Sequence, residues 1–267
     1  RLAIIDLSEH GHQPMTEKSG RYTIVFNGTI YNYPELREQL IGKGYQFNSH
    51  SDTEVILNAY AHWGESCVQQ LHGMFAFAIW DSHRRSLFLA RDRMGIKPLY
   101  YVKTDQYFYF ASNIQALLTT GVCDTRLDAS SLHHLFTLHA VVPAPGTLFK
   151  GIGKCPPAYS MSLDSRGQLE TRRYWQLEAK RPDQPYTDAE WKQRIHEALL
   201  QAVKKRLTIA DVPVGVLLSG GLDSSLLVAL LAEIGLQGFH TFSVGFEDQP
   251  EEKGSEFEYS DQVVERY

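Results

Sequence analysis

The sequence predicts two joined domains of different class. The first, residues 1–175, is an α+β domain of antiparallel sheets sandwiched with helices; the second, residues 187–267, is the start of an α/β doubly wound, parallel-sheet domain. Three observations predict this. Short β-rich runs divided by polar turns dominate the first part, with few helical segments among them. A polar stretch over 176–186, holding Pro182 and Pro185, breaks the pattern and reads as a linker. Beyond it, a helix, an apolar run, a Gly/Ser loop, a second helix and a second apolar run follow in the order that opens a doubly wound sheet.

In the first domain, residues 22–26 form a β-rich run ending at Asn27-Gly28, which on spacing alone is the commonest tight-hairpin dipeptide. Pro34 suits the first turn of a short helix through Leu40, stopped by Gly42 and Gly44. Ser51-Asp52-Thr53-Glu54 fits a capping box, in which the serine and glutamate side chains satisfy each other's free amides. The helix it opens carries Val55, Ile56, Ala59, Tyr60 and Trp63 at helical spacing. Residues 74–80, 86–90, 99–102 and 107–111 read as strands, separated by turns such as Asp81-Ser82-His83-Arg84-Arg85.

In the second domain, Thr187-Asp188-Ala189-Glu190 is another capping box. Its helix runs to about Leu207, with Trp191, Ile195, Ala198, Leu199, Ala202 and Val203 on one face. Residues 212–218 have the continuous apolar character of a buried parallel strand. An apolar helix over 226–234 and a second strand over 241–246 complete the pattern.

Composition narrows the function classes. The 267 residues are 43% hydrophobic and 21% charged, ordinary for globular protein. A net charge of -5 and a pI near 6.1 leave no basic footprint for nucleic acid or an anionic membrane. No apolar run approaches the ~20 residues that span a bilayer. Arg1-Leu2-Ala3-Ile4-Ile5-Asp6 shows neither a secretory signal nor an initiator Met, so the chain is expected to start inside a longer protein. Cys67, Cys123 and Cys155 are odd in number and form no Cys-x-x-Cys pair, which fits a reducing, cytoplasmic setting rather than a disulfide framework. His10, His12, His133 and His134 have no Cys or carboxylate at metal spacing and read as solvent or packing residues.

The strongest local motif is Ser219-Gly220-Gly221-Leu222-Asp223-Ser224-Ser225, between an apolar run and a helix. Backbone N–H groups at a helix N-terminus attract anions, and two glycines let the main chain approach a phosphate. No Lys follows the glycines as in a Walker loop. A carboxylate among phosphates needs an intervening cation, so Asp223 reads as a Mg²⁺ ligand. The alternative is a plain helix start, capped by Ser and Asp.

This motif resembles the pyrophosphate loop of the N-type ATP pyrophosphatases, which adenylate a substrate with ATP. That likeness implies ATP contacts from Leu217, Ser219, Gly220, Gly221, Asp223, Ser224 and Val244, with Leu217 and Val244 lining the adenine pocket. The loop alone also fits GMP synthetase, NAD synthetase and tRNA-thiolating enzymes. What precedes it selects among them. Arg1 to Asp6, then Phe26-Asn27-Gly28-Thr29-Ile30-Tyr31-Asn32, Ser51-Asp52-Thr53-Glu54-Val55-Ile56, Gly73-Met74-Phe75-Ala76-Phe77-Ala78 and Ala90-Arg91-Asp92-Arg93-Met94-Gly95-Ile96-Lys97-Pro98-Leu99-Tyr100 occur in the order found in class II glutamine amidotransferases. Together with the phosphate loop, they make the chain resemble the glutamine-hydrolysing asparagine synthetase family.

The resemblance implies an N-terminal nucleophile-type glutaminase domain joined to the start of an ATP-pyrophosphatase domain. It implies an oxyanion hole from the Asn27 side chain and the Gly28 N–H. It implies a glutamine site of Arg1, Ile4, Ile5, Asn27, Gly28, Thr29 and Asp52, in which Arg1 pairs with the α-carboxylate and Asp52 with the α-ammonium. The family's nucleophile, an N-terminal cysteine, belongs before Arg1, and the three cysteines present fall at none of the motif positions. They are read as structural thiols. Relatives carry Glu where this chain has Thr29, which predicts a weaker KM for glutamine. The implied ligands are glutamine, ATP with Mg²⁺, and a carboxylate acceptor, with a homodimer left open. Walls of an ammonia path are expected from 187–207 and from strands around 91–101. Aspartate is the acceptor of the family; segments 139–145 and 245–261 also resemble the N-acetylglutaminylglutamine amidotransferase branch. A synthetase with a silent glutaminase domain and a non-catalytic glutamine- or nucleotide-sensing module remain alternatives.

Overall fold

The computed structural model describes residues 2, 4–236, 238–247 and 256–267. The chain divides into two compact units, Arg1–Glu178 and Ala179–Tyr267.

In the first unit, β1 (Met15–Thr16), β2 (Tyr22–Ile30), β3 (Gly73–Asp81) and β4 (Ser86–Arg91) pair antiparallel in sequence order. A second, three-stranded sheet has β5 (Tyr100–Lys103) between β6 (Phe108–Ala111) and β7 (Gly153–Lys154). The chain then returns to the first sheet with β8 (Tyr159–Leu163) beside β4 and β9 (Leu169–Arg173) at the far edge.

Successive side chains of a strand point to opposite faces. Ile24, Phe26 and Ile30 of β2, Phe75, Phe77 and Ile79 of β3 and Phe88 of β4 therefore share one face. Helices α1 (Tyr33–Ile41) and α2 (Asp52–Trp63) cover it with Leu36, Leu40, Val55, Ile56 and Ala59, joined by Cys67 and Val68 of the short α3 (Cys67–Gln70). Burying each such large side chain stabilises the fold by about 1.5–3 kcal/mol. Ala76, Ala78, Leu89 and Met161 face the other way and meet Tyr101, Phe108 and Phe110 of the second sheet. Beyond that sheet, Leu117 of α4 (Ile114–Leu118) packs on Val102 and Ile152. The order of layers is helix, sheet, sheet, helix. Helix α5 (Ala129–Thr137) follows, capped by the Asp128 side chain.

The turn after β3 is held by Asp81, which is 1% exposed. It accepts the N–H groups of His83 and Arg84 at 3.0 and 3.1 Å and a two-point contact from Arg21. The Arg21 guanidinium holds this carboxyl below its ordinary range.

Three local expectations for this unit need correction. The strand expected over 22–26 continues through Ile30, so Asn27-Gly28 is mid-strand rather than a hairpin turn; β3 residues Gly73 to Ala76 pair with it there. Ser51 does cap α2, accepting Thr53 N–H at 3.1 Å. Its capping box is not closed, because the Glu54 carboxylate instead accepts the N–H groups of Asn48 and Ser49 and the Ser49 hydroxyl. The segment after Ala111, which carried no element assignment, holds two helices and three strands.

In the second unit, α6 (Asp188–Thr208) begins at Thr187 with both halves of its capping box made. Val203 is buried against Leu230 and Leu231 of α7 (Leu222–Glu233), whereas Trp191 and Ile195 are 43% and 54% exposed, so the apolar face is buried only towards its C-terminal end. β10 (Val216–Leu217) and β11 (Thr241–Phe242) pair in parallel, as a doubly wound start requires. Both are shorter than the apolar runs over 212–218 and 241–246. Pro213 has no N–H for a ladder, and Leu217 is 76% exposed rather than buried. Helix α7 starts at Leu222, earlier than the apolar stretch suggests, and α8 (Phe257–Arg266) follows.

Among the described residues, no helix is long and apolar enough to cross a membrane, and no cluster of His, Cys, Asp and Glu could hold a metal ion.

Candidate functional site

β1 pairs with β2 only at Thr23 and Ile24, so from Val25 onward the outer edge of β2 has no strand partner among the described residues. Side chains take that role. The Gln13 carbonyl oxygen accepts Phe26 N–H at 2.6 Å, and Asp52 Oδ2 accepts Ile30 N–H at 3.0 Å. Alternate N–H groups of a strand point to the same edge. Gly28 N–H therefore faces outward between these two capped amides.

Gly28 is required by packing. A Cβ there would lie 2.2 Å from Met74 O and 2.7 Å from Phe75 Cα of β3. The side chain of Asn27 turns instead towards the space between the two sheets, where its Nδ2 donates to Ser112 Oγ at 3.2 Å. That space is a cleft of about 320 Å³, lined by Gln13, Asn27, Ala76, Ala78, Phe110 and Ser112. The alanines make it: larger residues at 76 and 78 would fill it, as Leu89 does nearby.

Asp52 sits in the first turn of α2, where the helix favours a carboxylate. It is nevertheless 4% exposed, and burial pushes its pKa up to about 7 against the pull of hydrogen bonds from Ile30 and Thr53 N–H. No described residue supplies it with a positive charge. Thr29 is fully buried, and its Oγ1 has no hydrogen-bond partner among the described residues.

The other expected glutamine contacts divide. Ile5 is buried and Ile4 half-buried, while Arg1 lies outside the described residues. Sequence reasoning missed Asp6. Its carboxylate accepts His50 N–H at 2.8 Å and Ser8 N–H at 3.1 Å, tying the segment of Ile4 and Ile5 to the loop that enters α2 at Asp52. Sequence reasoning also missed Gln13, which reaches both Phe26 N–H and, at 3.2 Å, Thr53 Oγ1. A buried Asp in the first quoted motif was a usable signal; Gln13 had none.

The segment from Arg91 is a clamp. Asp92, 1% exposed, accepts the N–H groups of Phe75, Met94, Ile96 and Lys97 at 2.9–3.1 Å. The Arg91 guanidinium donates to the carbonyls of Gly95, Lys97 and Cys155, each at 2.7 Å. Loop 93–98 is fixed from inside, with Met94 and Ile96 exposed.

The three cysteines are free thiols. Cys67 and Cys155 are completely buried; burial raises both thiol pKa values, that of Cys155 to about 12. A thiol held neutral is a poor nucleophile.

In the second unit, Gly220 has φ +82° and lies so close to α8 that a Cβ would sit 2.6 Å from Tyr259 Cβ. Gly221 is the N-cap of α7 and contributes no side-chain cap, so the expected alternative of Ser and Asp capping this helix is not what the chain does. Ser219 and Ser224 hydroxyls meet at 3.2 Å across the loop, and Asp223 is exposed in the first turn. Beside the loop is a cleft of about 530 Å³, lined by Leu217, Ser219, Phe242, Val244 and Phe257 among others.

A layered helix–sheet–sheet–helix domain with an Asn-Gly pair at an open strand edge is the architecture of an N-terminal nucleophile-type amidohydrolase. The family model described as a glutamine amidotransferase domain matches residues 1–175, and this chain belongs to that family. A second model, asparagine synthase, matches residues 194–267. The chain is 41% identical over 255 residues to "Asparagine synthetase [glutamine-hydrolyzing] 3" of Bacillus subtilis, covering 93% of this chain and 41% of the relative. It is likewise 41% identical over 253 residues to "Asparagine synthetase [glutamine-hydrolyzing] 1" of the same organism, covering 93% of this chain and 38% of that one. A putative asparagine synthetase of Methanocaldococcus jannaschii is 36% identical over 270 residues, covering 94% and 51%. The chain thus spans between about two-fifths and one half of the length of these relatives.

Proposed function

We propose that these residues belong to an ATP-dependent, glutamine-hydrolysing amide synthetase, with aspartate as the acceptor. Residues 1–175 are the glutaminase domain, 176–186 the linker and 187–267 part of the ATP-pyrophosphatase domain. The free thiols Cys67, Cys123 and Cys155 support a cytoplasmic setting for this protein. The observation that carries this reading is the open β2 edge: an outward Gly28 N–H, the Asn27 amide in the adjoining cleft, and a buried Asp52 with no counter-charge among the described residues.

Hydrolysis of a carboxamide by a thiolate passes through a tetrahedral oxyanion, which fixed donors stabilise. Asn27 Nδ2 and Gly28 N–H are those donors. Asp52 receives the α-ammonium of glutamine. Cys67 and Cys155 are buried and held neutral, so neither is suited to be that thiolate, and Cys123 falls at none of the family's motif positions. Ammonia then attacks a carboxylate activated as an acyl-adenylate. Leu217 and Val244 line the cleft suited to adenine, and the N–H groups at the start of α7 receive phosphate. Mg²⁺ keeps several waters and binds through one or two carboxylates together with phosphate oxygens. A single exposed Asp223 at this helix start fits such an ion, which would neutralise phosphate charge.

A full-length protein containing these residues, given glutamine, ATP, Mg²⁺ and aspartate, is expected to release glutamate, AMP and pyrophosphate, whereas residues 1–267 alone are expected to be inactive. Asp223→Ala is expected to abolish AMP release while leaving glutamate release intact. AMP formed with N-acetylglutaminylglutamine but not aspartate would reassign the acceptor; AMP with neither would refute the synthetase half.

A further inference from the structure

β4 ends at Arg91, which pairs with Ala76, so Phe75 lies one position past the last strand pair on that side of β3. Asp92 completes the edge there. Its own N–H donates to Phe75 O at 2.8 Å, and its Oδ2 accepts Phe75 N–H at 3.1 Å. Both polar backbone atoms of Phe75 are thus taken up on the side away from β2, as alternation along an antiparallel ladder requires when the residue opposite turns its own N–H outward. The residue opposite is Gly28. Met74 O and Phe75 Cα lie so close to it that no Cβ would fit between. The direction of the Gly28 N–H is therefore set by the backbone on which Gly28 rests, and Asp92 holds that backbone from behind. The carboxylate is itself fixed at both oxygens, with Lys97 N–H on Oδ2 and the N–H groups of Met94 and Ile96 on Oδ1.

We propose that Asp92 is a positioning residue for the oxyanion site: by finishing the β3 edge it keeps Phe75 against Gly28, and so keeps the Gly28 N–H aimed outward. This rests on the glutaminase reading above. Asp92 acts through Phe75 and Gly28 and not on the substrate itself. Alignment of such a donor matters, because a misplacement of ~1 Å can cost about 10²-fold in rate. Asparagine at 92 would have one acceptor oxygen in place of two, so either Phe75 and Lys97 or Met94 and Ile96 would turn their N–H groups to an NH₂. Arg91 supplies the contrast. Its guanidinium holds the same loop through the carbonyls of Gly95, Lys97 and Cys155, and none of these bonds goes to Phe75.

The test is steady-state glutamate release by a full-length protein containing these residues, with AMP formation from ammonium measured beside it. Asp92→Asn is expected to lower kcat for glutamine about 10- to 100-fold with KM nearly unchanged, the mark of a donor that acts only in the transition state. AMP formation with ammonium should keep its wild-type rate. Arg91→Lys should lower the melting temperature as Asp92→Asn does, yet keep kcat near the wild-type value, because it loosens the loop and leaves Phe75 tied. An unchanged kcat in Asp92→Asn overturns the proposal, as does an equal fall in kcat for Arg91→Lys, which would assign the effect to the loop. A loss carried by KM, or a parallel fall in AMP formation with ammonium, overturns it as well. If Asp92→Asn does not fold, Asp92→Glu, which sets the carboxylate on a longer arm, carries the same comparison. Failure of the wild type to release any glutamate overturns the glutaminase reading and this proposal with it, an outcome distinct from a normal wild type with an indifferent Asp92.

Discussion

Asn27→Ala is expected to lower kcat for glutamine hydrolysis by about 10²–10³-fold, the usual cost of one oxyanion donor. KM for glutamine should change little, because the donor acts on charge that develops only in the transition state. AMP formation with ammonium in place of glutamine should proceed at the wild-type rate. That contrast matters more than the loss itself. Asn27 lies on a central pairing segment of β2, directly opposite Ala76, and a merely structural defect would lower stability along with activity. Among the described residues, however, its side chain makes one hydrogen bond, to Ser112 Oγ at the cleft, so alanine should leave the melting temperature nearly unaltered. A fall in kcat of less than about tenfold would remove Asn27 from the oxyanion site.

Asp52→Asn is expected to show opposite effects on stability and on glutamine use. The folded pKa of about 7 lies above the ordinary 3.8. Between those values the folded chain holds a proton that the unfolded chain has released, so stability falls as pH rises through that window. Above about 7 the buried charge carries its full cost, at most ~4 kcal/mol for a shift of this size. Asparagine is neutral throughout and keeps an oxygen for Ile30 N–H. The variant and the wild type should therefore have similar urea midpoints near pH 4, and the variant should be the more stable at pH 8. Its KM for glutamine should rise by about 30-fold or more, as expected when one member of a buried charge pair is removed. In the wild type, KM should climb about tenfold per unit as pH drops below 7, because only the ionised carboxylate receives an ammonium. A wild-type KM flat from pH 5 to 8 would show that Asp52 does not hold the ligand.

Much of the fold is legible in the sequence where one physical signal dominates. The alternation in β3, with Phe75, Phe77 and Ile79 on one face and Ala76 and Ala78 on the other, specifies both a strand and two buried sides. The Thr187 capping box gives the start of α6 to the residue. Legibility fails where a residue type has two uses. Asn27-Gly28 favours a turn by local preference, yet the glycine is there because β3 backbone lies against it, a fact of pairing across 46 positions that no short window carries. Glu54 matches a capping box by spacing, but loop amides at Asn48 and Ser49 compete for it and win. In 212–218, apolar composition suggests burial; Pro213 and the exposed Leu217 make it a two-residue strand instead. Of the site, the motif order picked out Asn27, Gly28 and Asp52, which the fold brings to one strand edge and its cleft. Gln13 and the orphaned state of Thr29 Oγ1 depend on contacts between distant segments, and spacing holds no record of them.

The open edge of β2 has a further consequence. A bare strand edge is a template for pairing with another chain, and proteins ordinarily blunt it with bulges, charges or a covering segment. Here Gln13 and Asp52 occupy the two flanking amides and leave Gly28 alone between them. One free N–H can receive a small ligand atom but cannot seat a strand, which needs a run of them. The same two side chains that frame the site therefore also shorten the run of amides this edge offers to another strand, so blunting the edge and keeping the site open fall to the same residues.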